Sequence, residues 1–144
     1  MNISRLSSLS SAVALALLLA SCASGPKVEG NWKDIGATGN GNISAAIDHN
    51  SIKKNGNLAT FRDKKTVLKT NEERYVNAPK YKTAVGEWEI NCRNKTYRLT
   101  ALKLLDESGK ILMDEKYTAT NLRPMQIIEG SITEKQFQAV CTGN

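Results

Sequence analysis

Tyr81-Lys82-Thr83-Ala84-Val85-Gly86-Glu87-Trp88-Glu89-Ile90-Asn91-Cys92 is the stretch that decides the fold. Side chains on a strand alternate between two faces. Here Trp88, Ile90 and Cys92 fall on one side and Glu87, Glu89 and Asn91 on the other. That alternation predicts a strand with one face in a core and the other in water. Arg93-Asn94-Lys95 then turns the chain into a second strand, Thr96 to Leu105. Asp106-Glu107-Ser108-Gly109 has the composition of a type I turn with a bulged glycine, after which Ile111-Leu112-Met113 returns as a third strand.

Working outward, Asn31 to Gly36 offers a short alternating segment, followed by a Gly/Asn-rich turn from Thr38 to Asn42. Ile43, Ala45 and Ile47 alternate with Ser44, Ala46 and Asp48. Asn55-Gly56 is a strong hairpin signal, read here as the central pair of a two-residue turn. Leu58 to Lys69 follows, with Phe61 and Val67 as its apolar contributors and Lys64-Lys65 marking a face in water. Thr70 to Pro79 is polar, ends in proline and predicts a loop. Near the C-terminus, Ser131-Ile132-Thr133-Glu134 has the spacing of a capping box and predicts a helix from about Ile132 to Cys141, stopped by Gly143. Phe137, Val140 and Cys141 share its apolar face. The expected class is α+β: an antiparallel sheet of about six strands, with the C-terminal helix packed on one face and tied by a disulfide.

The N-terminus carries an address. Arg5 supplies a positive start, Ala12 to Ala20 an apolar run, and Leu19-Ala20-Ser21-Cys22 closes it with small residues and a cysteine. The run is too short to span a bilayer, which takes about 20 apolar residues. It is similar to the lipobox of bacterial lipoproteins, in which the thiol becomes the attachment point for lipid. The expected organisation is a signal peptide at 1–21, a lipidated tether at 22–30 and a single domain at 31–144. Several acyl chains on Cys22, palmitate among them, would anchor the protein stably, where a single chain would not. Ala23 stands where an aspartate would signal inner-membrane retention, so the expected address is the outer membrane. The domain then faces either the cell surface or the periplasm.

The chain has 144 residues and a formal charge of +6, falling to +5 once Arg5 leaves. That surplus permits anionic partners without requiring them. With Cys22 assigned to lipid, Cys92 and Cys141 remain, an even pair in an oxidising compartment. A disulfide is the expected state there. Two free thiols or a metal site are the alternatives, and His49 as the single histidine leaves zinc short of its usual four ligands. Nucleophile–base pairings have equally little to work with. Asp48-His49 fits a strand end better than a dyad, and the pairs Glu72-Glu73, Asp106-Glu107 and Asp114-Glu115 fall in or near turns. No catalytic residue, metal or cofactor is expected, and the chain is not expected to be an enzyme.

Lys80, Lys82, Arg93, Lys95, Tyr97 and Arg98 gather basic and aromatic character around one hairpin. They are the candidate ligand-binding residues, for a protein or polyanion rather than nucleic acid, which an envelope protein rarely meets. The competing account is outward strand positions kept charged against edge-to-edge pairing.

Trp88-Glu89-Ile90-Asn91-Cys92-Arg93-Asn94-Lys95-Thr96-Tyr97-Arg98, Asp106 to Lys110, Gly130-Ser131-Ile132 through Cys141 and Ala46 to Ile52 together resemble the surface-adhesin protein E-like family of Gram-negative lipoproteins. The resemblance runs over roughly residues 42–141. It implies a six-stranded antiparallel sheet with a C-terminal helix pinned by a disulfide. It also implies adhesion to host matrix or plasma proteins through a region corresponding to Lys80–Lys103. A second copy of the chain is a further candidate partner. The alternatives are a periplasm-facing structural lipoprotein and an inhibitor of a host defence enzyme.

Overall fold

Period-two alternation organises most of the chain into strands, and turn chemistry sets their ends. The computed structural model describes residues 27–142. The expected signal peptide, the lipidation site Cys22, the start of the tether and Gly143 lie outside the described residues. The strands are β1 (Trp32–Ala37), β2 (Ile43–Asn55), β3 (Leu58–Val67), β4 (Thr83–Asn91), β5 (Thr96–Leu105), β6 (Ile111–Lys116) and β7 (Met125–Gln126). They form one antiparallel sheet in the order β1-β2-β3-β4-β5-β6, and β7 adds to β5. β6 pairs with Ala101–Leu105 and β7 with Thr96 and Tyr97, so the two share one side of β5.

The core follows the alternation. Ile47, Ala59, Phe61, Ile90 and Val140 form a buried cluster, with Trp88, Tyr97, Phe137 and Cys141 packed against it. Val140 comes from the C-terminal segment, and Cys141 is bonded to Cys92, with Cα atoms 5.6 Å apart.

Three elements differ from expectation. The β2–β3 turn is centred on Gly56-Asn57, because Asn55 still pairs with Leu58. Gly56 takes the positive φ of 60° that a turn with glycine at its first central position requires. The helix is shorter: α1 spans Ile132–Phe137, and Gln138–Thr142 widens into a π-helical turn. The chain is therefore mostly sheet. The capping box itself forms, with Ser131 Oγ accepting from the Glu134 amide at 3.2 Å. The Glu134 carboxylate reaches back one residue further than the standard motif, to the Gly130 amide at 2.6 Å. Finally, the side of β3 that carries Ala59, Phe61 and Val67 also buries Asp63, which is 1% exposed. Lys65 pairs with Asp63, the Gln136 amide donates to it at 2.7 Å, and the Gly86 amide does so at 3.2 Å. The charged run on β3 is thus partly an internal polar cluster rather than a wet face.

Candidate functional site

The β4–β5 hairpin is built by Asn91, whose Oδ1 accepts from the Arg93 and Asn94 amides at 3.1 and 2.9 Å. Lys95 completes the turn at φ 53°. Local side-chain bonds of this kind are what favour asparagine in turns. Arg93, Asn94 and Lys95 all stand exposed at the tip. Lys95 is tied on one side, where its carbonyl accepts from the Ile127 amide at 3.0 Å and its ammonium lies 6.0 Å from the Phe137 ring.

The other expected contact residues are less free. Tyr97 packs beside Trp88, ring centroids 5.7 Å apart. Arg98 pairs with Glu89 at 3.5 Å and donates to the Tyr117 carbonyl at 3.3 Å. Lys82 is buried, and its ammonium donates to the Leu68 carbonyl at 3.0 Å. Lys80 is exposed and bonds Asn71 Oδ1 at 2.6 Å. Lys80 and Lys82 precede β4, whereas Arg93 and Lys95 follow it. A strand of that length separates the two pairs by about 27 Å. The six residues do not form one cluster, because hairpin neighbours in sequence lie at opposite ends of an extended strand.

Each end has its own depression. One of ≈350 Å³ is lined by Thr70, Lys80, Tyr81, Lys82, Asp106 and Glu107. Beside it Tyr75 donates to the Tyr81 carbonyl at 2.7 Å, and burial, then Tyr81, Glu73 and Glu107, push the Tyr75 phenol up. The other, of ≈270 Å³, lies at the hairpin end among Leu58, Asn91, Asn94, Thr96, Arg98 and Pro124.

Sequence reasoning missed the apolar component of the hairpin end. Leu58, Met125 and Ile128 are 39%, 51% and 69% exposed. β7 brings Met125 to Tyr97, and Ile128 follows the Ile127 amide that bonds Lys95. The apolar residues Met125, Ile127 and Ile128, interrupted by Gln126, were the available signal, but a two-residue strand has no periodicity to detect.

The N-terminal segment is held against the sheet. Trp32 Nε1 donates to the Val28 carbonyl at 2.8 Å, and the Asn31 amide donates to Asp48 Oδ1 at 2.9 Å. Arg62 bridges the Glu29 carbonyl and Asp48 Oδ2, at 2.5 and 2.7 Å. It also lies 5.0 Å from the centre of the Trp32 ring, with Lys64 at 4.7 Å. Burial pushes the Asp48 carboxyl up, but the bonds from Arg62, Asn31 and Asn50 together outweigh it and hold the group below its ordinary value. Asp48 is thus committed to this strap, while the neighbouring His49 is exposed and gives its amide to the Asn31 carbonyl.

No curated protein matches the chain. Among solved structures, crystal form II of Haemophilus influenzae protein E is similar over 83% of this chain and 94% of that one, at 14% identity and a TM-score of 0.53. A second structure of Haemophilus influenzae protein E covers 83% of this chain and 90% of its own, also at 14% identity, with a TM-score of 0.52. At that identity the likeness concerns the fold. The family described as surface-adhesin protein E matches residues 32–142, from the first residue of β1 to the end of the π-helical turn. The sheet, the crosslink and that match agree, and the chain belongs to the surface-adhesin protein E family.

Proposed function

We propose that this protein is an outer-membrane lipoprotein that adheres to host matrix or plasma proteins through the hairpin end of its sheet. In this reading residues 1–21 are removed, Cys22 carries the acyl chains and 22–30 tethers the domain. The C-terminal segment, which sends Val140 into the core cluster, in this reading lies on the apolar face and leaves adhesion to the sheet's ends and its opposite face. The observation that carries the proposal is that one end of the sheet presents exposed Arg93 and Lys95 together with exposed Met125, paired with Tyr97 through β7, and exposed Ile128, which follows the Ile127 amide bonded to Lys95. Exposed apolar groups gathered in a patch mark interaction sites more often than scattered ones do. The cations add steering toward acidic partners.

The test is binding of the full chain, in detergent, to immobilised basement-membrane extract and separately to heparin. Charge reversal at Arg93 and Lys95 should weaken binding about tenfold, and raising the salt should weaken it further. Undetectable binding, or binding indifferent to salt and to these changes, would refute the proposal. Protease treatment of intact cells checks the display: the domain should be cleaved from outside.

A further inference from the structure

The sheet is creased along one row. The β2–β3 register breaks after Asp48↔Arg62 and resumes at Lys53↔Thr60, so His49 to Ile52 lie opposite Phe61 alone. The β4–β5 register slips between Glu87↔Ala101 and Trp88↔Leu99, leaving Thr100 as the extra residue. Arg62 pairs with Glu87 and Phe61 with Trp88, which puts both irregularities at the same level of the sheet. A bulge bends its strand and increases the local twist. Two on one row fold a trough across four strands. Its volume is ≈570 Å³, within the usual range of about 300–1,000 Å³ for ligand sites, and its lining includes Asn50, Ser51, Lys53, Thr60, Glu87 and Thr100. It runs past Arg62 and Glu87 into a second depression of ≈380 Å³ that reaches Lys103 and Lys116.

The charges in the trough are unevenly matched. Arg62 is taken up by Asp48, the Glu29 carbonyl and the Trp32 ring. Glu87, directly opposite Arg62 on the next strand, is exposed and its carboxylate has no ion pair or hydrogen bond among the described residues. Lys53 is likewise exposed and without an ion pair among the described residues. The same lining carries the hydroxyls of Ser51, Thr60 and Thr100 and the Asn50 amide, with Ser51 Oγ donating to the Asp48 carbonyl and Thr100 Oγ1 to the Glu87 carbonyl. An occupant therefore needs a cation for Glu87, a carbonyl or carboxylate for Lys53, and polar groups along its length.

A sugar would be expected to stack on an aromatic face, and the two rings in the trough's lining, Phe61 and Trp88, are packed in or against the core cluster, with Phe61 3% exposed. Trp88 packs beside Tyr97, and the Trp32 ring is covered by the Arg62 and Lys64 cations. From β2 to β5 the trough spans about 14 Å, the length of about four extended residues. We infer that it is a second binding site, separate from the hairpin end, for an extended peptide segment carrying a basic side chain. With a formal charge of +6 over the whole chain, no general field draws a cation here, and the Glu87 carboxylate selects the position.

The test is amide NMR of the isotope-labelled full chain in detergent. It is titrated with a pool of acetylated hexapeptides bearing lysine at the third position, and with the same pool bearing norleucine there. The lysine pool should shift the amides of Ser51, Thr60, Glu87 and Thr100. The norleucine pool, and the lysine pool on Glu87→Gln, should bind about two- to fivefold more weakly. Charge reversal at Arg93 and Lys95 should leave these shifts in place, which separates this site from the adhesive one. The amide spectrum of Glu87→Gln shows whether that variant stays folded, and Thr100→Val serves as a second trough variant expected to weaken binding. Absence of shifts, equal binding of the two pools, indifference to Glu87→Gln in a folded protein, or shifts produced by chitohexaose but not by peptide would each overturn the inference.

Discussion

Asp63 and Gly86 show how single residues constrain this sheet. A Cβ at Gly86 would fall 2.5 Å from Trp88 Nε1 and 2.7 Å from Asp63 Oδ1, so the buried carboxylate and the indole both depend on glycine there. Gln136 is equally committed, at 1% exposed with its amide on Asp63. Replacing Gln136 with alanine removes one partner of a buried charge, and the expected loss is about 2–3 kcal/mol, read as a lower urea midpoint with unchanged slope. At the strap, the Asp48 carboxyl sits below its ordinary value of about 3.9. A depressed acid contributes stability above its unfolded pKa and loses it as the pH falls through the folded one. The strap should therefore hold at neutral pH and loosen in acid below about pH 4. The Trp32 indole proton, bonded to the Val28 carbonyl, reports this by NMR: its protection relative to a free indole at the same pH should fall in acid, and Asp48→Asn should lose that protection at every pH.

Among the elements, those with strong local signals were legible and those set by tertiary contact were not. Alternation and turn chemistry predicted β4, β5 and the two turns that bound β5, including Gly109 at φ 88°. The cap at Ser131 was legible because it is a contact between near neighbours. Ser131→Ala should cost about 1 kcal/mol, measured by thermal or urea unfolding. The π-helical turn was not legible. That Val140 enters the core and Cys141 bonds Cys92 was expected from their shared face and the cysteine count, but the local widening from Gln138 to Thr142 has no pattern of its own. β7 escaped for the same reason, since it exists only by pairing with β5. The candidate site suffered most. Composition identified the cations, but Lys82 buries its ammonium against a backbone carbonyl and Arg98 meets Glu89, facts that depend on neighbours distant in sequence.

At the scale of the whole molecule, the crosslink joins residues 49 positions apart. The chain-entropy account assigns such a loop about 4 kcal/mol. Replacing both Cys92 and Cys141 with alanine should lower stability by about that amount in denaturant titration while the strand signature in circular dichroism persists. The sheet should persist because each strand from β1 to β5 lies beside its immediate successor. A meander of this kind can be laid down in the order in which the polypeptide is synthesised, each new strand templating on the last. Cys141 arrives only after every strand is out. Oxidation at that position thus works as a certificate of completion: a truncated product can assemble its ribbons, yet it lacks the thiol that would seal them.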